Sequence, residues 1–425
     1  MVSIFKDIIH GTSSVFTCIV YVITIYYLCI SFFGILRKKN ERAVEPKKVF
    51  ALIVAAHNEE IVIGDIVESL KKLDYPKELY DIFVIADNCT DKTAEKAREK
   101  SAIVYERTNK EKRGKGYALE WMFDKIFKLD KKYDAIAIFD ADNLAHKSFL
   151  KEMNKKLCEG FKVVQGYLDS KNPEDTWITG SYSISFWSNN RMFQNARSNL
   201  GLSTQLGGTG FCVDAEILKK LGWGATCLTE DLEFTCKIVL SGYKVGWAHD
   251  AIIYDEKPLT LSQSWWQRKR WMQGFADVAS RYFFKLLKKS ITNFSFTALD
   301  CALYSIQPIV AILIGISAVT GIIQYCMKGL NLISNFNTFI YSVNFDLLHI
   351  TIALLAIFQF IYTPFILVLE KKLNKKIFWY YILYPIYAIT WFPISVQGII
   401  DRNKKEWSHT AHTRSVKIND LDKAN

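Results

Sequence analysis

The 425-residue sequence has no C-x-x-C pair among its nine cysteines, Cys18, Cys29, Cys89, Cys158, Cys212, Cys227, Cys236, Cys301 and Cys326. An odd, scattered set of this kind indicates neither a disulfide framework nor a zinc cage, and the residues read as reduced thiols facing cytosol or lipid. No internal repeat and no low-complexity tract is present, which argues against a solenoid or a disordered chain. The apolar run from Ser13 to Leu36 lacks a small-residue cleavage site and ends in Arg37, Lys38 and Lys39, so it reads as an uncleaved anchor. The glycines around Arg113, Gly114, Lys115 and Gly116 lack the spacing of a Walker P-loop.

Half of the residues are hydrophobic and 14% aromatic, enough for an ordered core. A net charge of +11 admits nucleic acid, an anionic membrane face or a phosphorylated substrate as partners. The apolar residues gather at the two ends of the chain. Residues 13–36 are uncharged over a length that crosses a hydrocarbon core, as are Cys301 to Tyr325 and Leu347 to Leu369, joined by a loop whose only cation is Lys328. A fourth run, 377–400, carries Pro385 and Pro393, which divide it into pieces too short to span individually. It is expected to lie at the interface or re-enter, leaving the basic tail 401–425 cytoplasmic; if it spans, the tail is outside. The cations of Arg37 to Arg42 and of Lys371, Lys372, Lys375 and Lys376 place the middle of the chain in the cytoplasm, so a multi-pass plasma-membrane protein is expected.

Residues 44–257 alternate β-rich runs with helical periods: VFALIVAA before Glu59 to Leu73, DIFVIAD before Asp91 to Lys100, AIVYER before Gly114 to Leu129, then DAIAIFD. Strict alternation predicts an α/β domain with a parallel sheet covered on both faces, which binds ligands at the carboxyl ends of its strands. Asp140 and Asp142 stand at such an end, suited to Mg²⁺ or Mn²⁺ bound through a diphosphate, or else to a solvated turn. Asp87 closes an earlier strand and Glu59 follows the first. Thr229, Glu230 and Asp231 precede a helix; they are an N-cap with two acids matching the helix dipole, or Asp231 is a general base for an acceptor hydroxyl. Lys115 is a candidate for contact with a nucleotide, and Gly208, Thr209 and Gly210 for an acceptor loop or a plain turn.

Residues 258–300 hold the strongest local signal, Gln267, Arg268, Lys269, Arg270 and Trp271. A basic amphipathic helix is usually a membrane-surface element, and Trp265, Trp266, Phe283 and Phe284 supply interfacial anchors. The same pattern offers a guanidinium for a diphosphate and an indole for a sugar ring.

Taken in order, VAAHNE, Asp87, GKG, Asp140-Ala-Asp142, GGTG, Thr229-Glu230-Asp231 and Gln267-x-x-Arg270-Trp271, with apolar runs on both sides, resemble the processive membrane-integrated family 2 glycosyltransferases, among them cellulose, hyaluronan, chitin and poly-N-acetylglucosamine synthases. The resemblance implies a GT-A (Rossmann-like) domain set between transmembrane helices. It implies a UDP-sugar donor whose base lies near His57, Glu59, Asp87 and Lys115, with Asp140 and Asp142 holding nucleotide and metal. Asp231, with Glu230, is then catalytic; Gln267, Arg268 and Arg270 face the diphosphate, and Trp271 floors the acceptor site. Trp407, Thr410 and Arg414 resemble the family's gating loop. His57 stands where relatives often have tyrosine, and Gly208-Thr209-Gly210 replaces a cysteine-containing loop. The GGTG loop and CLTEDLEF are most like glucan and glucomannan synthases, so the expected reaction is inverting, processive growth of a β-1,4 or mixed β-1,3/1,4-glucan from UDP-glucose across a lipid bilayer. Alternatives are a poly-N-acetylglucosamine or chitin-type synthase using UDP-GlcNAc, and a non-processive lipid glycosyltransferase. A basic module for nucleic acid is disfavoured because the acids fall at strand ends.

Overall fold

The computed structural model describes residues 18–37, 44–224, 227–332, 343–404 and 414–422. Residues 13–17 and 38–42, Trp407 and Thr410 lie outside the described residues. A helix α1 (Cys18–Phe32) precedes the α/β unit. That unit runs β1 (Phe50–Ala56), α2 (Ile63–Lys71), β2 (Tyr80–Asp87), α3 (Thr93–Glu99), β3 (Ile103–Arg107), α4 (Lys115–Ile126), β4 (Ala135–Asp140), β5 (Leu144–Ala145), α5 (Phe149–Cys158), β6 (Val163–Ser170), α6 (Trp177–Asn189), α7 (Ala196–Asn199), β7 (Phe211–Asp214), α8 (Ala215–Leu221), α9 (Glu230–Leu240) and β8 (Val245–Asp255).

The pleat of β1 sorts its side chains into two cores. Phe50, Leu52 and Val54 pack with Ile66 and Leu70 of α2 and Leu150 and Met153 of α5, whereas Ala51 and Ile53 share a core with Leu119 and Met122 of α4 and Phe234 and Ile238 of α9. Burial on both faces is why these strands read as unbroken apolar runs.

The eight strands lie in the order β3-β2-β1-β4-β7-β6-β8-β5. β3, β2, β1 and β4 are parallel, as expected, but β7 is antiparallel to both β4 and β6, and β5 is antiparallel to β8. The all-parallel expectation is therefore corrected to a mixed sheet. The reason is the connection after β6: beyond α6 and α7 the chain runs past the start of β8, where the Thr204 N–H donates to the Val245 carbonyl at 3.0 Å, and then enters β7 from the side where β4 ends. One consequence matters for the site: the ends of β1, β2, β4, β6 and β8 and the entry to β7 all meet on one side.

Beyond the sheet come α10 (Leu261–Thr292), α11 (Phe296–Ser305), α12 (Gln307–Leu332), α13 (Val343–Leu369), α14 (Lys375–Ile389), α15 (Trp391–Ile400) and α16 (Ile418–Asp422). The run expected to span from Cys301 breaks at Ile306, where α11 and α12 bend by 64°. Pro308 accounts for the break, because it has no N–H to bond the Tyr304 carbonyl four residues back and its ring crowds that carbonyl. Cys301 and Ala302 accordingly pack with Leu232 and Cys236 of α9, and Lys328 falls inside α12 instead of in a loop.

Among the described residues, 375–400 is the one stretch long and apolar enough to cross a membrane, with a second if the bent pair counts as one span. Pro393 sits in the first turn of α15, where its missing N–H has no helical acceptor to lose, so α14 and α15 follow closely with only Thr390 between them. This pair stays against the α/β unit and α10 along its length. Asn374 Nδ2 donates to Glu174 at 2.7 Å, Tyr384 bonds Ser185 at 3.1 Å and Trp265 Nε1 donates to Gln397 at 2.9 Å. Its outer face leaves Trp379, Ile386 and Ile389 exposed. Near the start of α14, Arg191 donates to the carbonyls of Gly34 and Ile35 after α1 at 2.7 and 2.6 Å and pairs with Glu370 of the α13 end at 2.8 Å, tying both elements to the sheet domain.

Candidate active site

Lys115 opens α4 at the carboxyl edge. Its ammonium pairs with Asp140 and donates to the carbonyl of Gly208 at 2.7 Å, so one side chain joins the strand tip to the glycine loop. Gly208 has φ of +84°, a conformation that favours glycine, and a Cβ built there lies 3.6 Å from Asp231 Oδ2. Three motifs far apart in sequence thus meet within one side chain's reach.

Glu230 and Asp231 form the first turn of α9. Burial, and for Glu230 the neighbouring Asp231 charge, raises both carboxyls above the ordinary range, to about 7 and about 6, while the Lys115 ammonium pulls in the opposite direction. Such a pair can take up a proton near neutral pH. Thr229, before them, makes no side-chain cap hydrogen bond. Instead it packs on Gly274 of α10, where a Cβ would meet its Oγ1 at 2.4 Å. The close approach seats the acids under α10.

Asp140 and Asp142 keep different company. Asp140 is 38% exposed and paired with Lys115, whereas Asp142 is buried, its Oδ2 accepting the Glu256 N–H at 3.0 Å and its Oδ1 the Asn143 amide at 3.3 Å. Among the described residues no group of three or more His, Cys, Asp and Glu side chains could hold a metal unaided. A magnesium-sized cation needs only one or two carboxylates when a diphosphate supplies further oxygens, so an exposed Asp140 beside Asp142 fits such an ion.

Thr209, expected in an acceptor loop or a plain turn, is turned inward. It is buried, its hydroxyl donates to Asn143 Oδ1, and it accepts the Asp140 N–H at 3.0 Å. Gln165 fixes the same loop, donating to the Thr209 carbonyl at 3.0 Å and accepting the Gly207 N–H at 2.9 Å. Gly210 packs under Ile253. Of the three loop residues, Gly208 alone is brought beside Asp231.

On the other side of β1, His57 Nδ1 donates to the Asp87 carbonyl at 2.7 Å. Glu59 is buried with its N–H on Thr93 Oγ1 at 2.8 Å. The Asp87 carboxylate is paired with Arg107, which also donates to the Lys112 carbonyl at 2.7 Å. Sequence reasoning missed Arg107, because only the register of β3 on β2 sets it opposite Asp87.

On α10, Gln267 accepts the Tyr182 hydroxyl proton, and Trp271 sits edge-on to Tyr182 with centroids 5.9 Å apart. Arg270 lies one turn from Gln267 on the same helical face. Arg268, expected at the diphosphate or the acceptor, is directed toward α14 and α15. It is fully buried between the rings of Tyr387 at 4.1 Å and Trp391 at 5.0 Å and donates to Thr390 Oγ1 at 2.8 Å. Its backbone position, about 100° around the helix from Gln267, turns it toward α14 and α15. Arg414 lies against Asp175 and Glu256.

A family model described as "Glycosyltransferase like family 2" matches residues 46–274, more than half of the chain. Among curated relatives, a probable glycosyltransferase, YdaM, of Bacillus subtilis (strain 168) is 30% identical over 60% of this chain and 62% of its own length. A beta-monoglucosyldiacylglycerol synthase of Nostoc sp. is 30% identical over 53% of this chain and 48% of its own. A poly-beta-1,6-N-acetyl-D-glucosamine synthase of Staphylococcus aureus is 26% identical over 60% of this chain and 61% of its own. The matches thus span about half to three fifths of those proteins. The structure is similar to a Pyrobaculum calidifontis mannosyltransferase solved with GDP-Man and Mn²⁺, with a TM-score of 0.59, 17% identity and coverage of 93% of this chain and 99% of that one. At that identity the likeness bears on fold alone, a GT-A-like α/β unit with a mixed sheet.

Proposed function

The chain belongs to the family 2 glycosyltransferases, and from that premise we propose that it is an inverting enzyme that moves a hexose from a UDP-sugar to an acceptor hydroxyl at a membrane, building a β-glucan processively from UDP-glucose. The observation that carries this reading is the meeting of Lys115, Asp140, Gly208 and Asp231 at the carboxyl edge.

In the proposed reaction Asp231 takes the proton of the acceptor hydroxyl. The acceptor oxygen then forms a bond to the anomeric carbon as the bond from that carbon to UDP breaks on the opposite face, which inverts the configuration. One positioned carboxylate base, without a second nucleophile, suits such a single displacement. Lys115 and Arg270 stabilise the departing diphosphate, and His57, Glu59 and Asp87 flank the nucleotide base. Mg²⁺ or Mn²⁺, held through Asp140 and Asp142, would supply further positive charge at that diphosphate. Trp271 offers the acceptor sugar a flat apolar face beside Tyr182. Exposed Trp379, Ile386 and Ile389 on the α14–α15 pair support seating at a lipid surface.

The similarity to beta-monoglucosyldiacylglycerol synthases favours a second reading, transfer of one glucose to a lipid hydroxyl. UDP-GlcNAc is the alternative donor for a polymer. The discriminating experiment gives the purified protein each UDP-sugar with Mg²⁺ or Mn²⁺ and partitions the products into chloroform. A polymer from UDP-glucose that a β-glucanase degrades is the expected result. A single-sugar lipid overturns the processive reading in favour of the second, and consumption of no UDP-sugar overturns both.

A further inference from the structure

We propose that residues 414–422 clamp the carboxyl edge of the sheet, with Arg414 as a positioning residue for Asp142. The inference rests on the functional reading above. Asp142 is held through the N–H of Glu256 at 3.0 Å, so its place depends on the turn that follows β8. The returning chain grips that turn and its surroundings. The Arg414 guanidinium pairs with Asp175, and the Arg414 backbone N–H donates to Glu256 Oε2 at 3.4 Å. Ser415 donates to Asp65 Oδ2, and Lys72 donates to Asn419 Oδ1 at 3.4 Å. Val416, Ile418 and Leu421 pack on Leu144, Ile252 and Tyr254.

Those apolar partners are well placed for the purpose. Leu144 lies two residues after Asp142 and is bonded across β5–β8 to Tyr254, two residues before Glu256. The segment therefore covers the edge strand of the sheet and pins both strands that the Asp142–Glu256 bond connects. Asp142, Glu256 and Asp65 also act on the ammonium of Lys171, which is buried without a hydrogen-bond partner among the described residues. Burying such a charge is costly, and the clamp opposes the opening that would rehydrate it.

The test uses the full-length protein with Arg414→Ala, Arg414→Lys and Ile418→Asp, and a chain ending at Thr413. UDP binding and Mn²⁺ binding in the presence of UDP are titrated, the latter by electron paramagnetic resonance, beside kcat and donor KM. Loss of a partner behind a metal-binding carboxylate typically weakens metal affinity by roughly 10-fold or more. Arg414→Ala, Ile418→Asp and the shortened chain are expected to show that loss with a lower kcat and an unchanged donor KM. Arg414→Lys is expected to retain most of the affinity, and a peptide of residues 414–425 to restore it to the shortened chain. Wild-type Mn²⁺ affinity in Arg414→Ala and the shortened chain would overturn the clamp. A wild-type protein that binds neither UDP nor Mn²⁺ would overturn the functional reading instead.

Discussion

At the scale of single residues, the candidate chemistry turns on the ionisation of Asp231 and Glu230. A base works only when ionised, and burial lifts this pair to about 6 and about 7, so turnover should fall as the pH drops through that window instead of near pH 4. Asp231→Asn should keep UDP affinity, lose roughly 10²- to 10⁴-fold in turnover, and leave a residual rate without that acid limb. A variant with normal turnover would show that Asp231 only complements the helix end. Lys115, Asp140 and Asp231 were legible in the sequence because each stands at a strand end or the start of a helix, where local pattern gives the position. Arg107 and Gln165 were not, since what they do depends on the pairing of β2 with β3 and of β6 with β7, between residues far apart in the chain.

At the scale of elements, α10 is the part most changed by the structure. Its amphipathic pattern announced a helix with a basic face, yet the pattern did not tell which cation faces the site. Arg268 is fixed by Tyr387 and Trp391, more than a hundred residues away, while Gln267 and Trp271 meet α6. The antiparallel β7 escaped the sequence for a similar reason, because its direction follows from the path of the chain after β6. The contact of α10 with Thr229 gives a test. Gly274→Ala drives a methyl to within 2.4 Å of Thr229 Oγ1, an overpacking that costs about 1–3 kcal/mol. Thermal unfolding should register the loss, and turnover should fall further than UDP binding because the displaced turn carries Asp231. Unchanged stability and turnover would show that α10 can shift freely over the acids.

At the scale of the whole molecule, the proposed membrane placement must reconcile an apolar helix pair with a tail that returns to the sheet domain. α14–α15 is long enough to cross, yet it is bonded to α6 or α10 at Tyr384, Gln397 and its C-cap Asp401, and residues 414–422 dock on the α/β unit beyond it. Both observations support a helix pair lying along the interface with its tail on the catalytic side. Ser415→Cys in a background without native cysteines should therefore be shielded from an impermeant thiol reagent in intact cells and labelled after lysis; labelling in intact cells would put the tail outside. The central claim, a single displacement at the edge where Asp231 meets Lys115 and Asp140, is tested most directly by the anomeric configuration of the product. With UDP-glucose labelled with ¹³C at the anomeric carbon, or the corresponding UDP-GlcNAc, nuclear magnetic resonance of the new glycoside should show the β-anomer formed from the α-linked donor. An α-linked product would contradict the account.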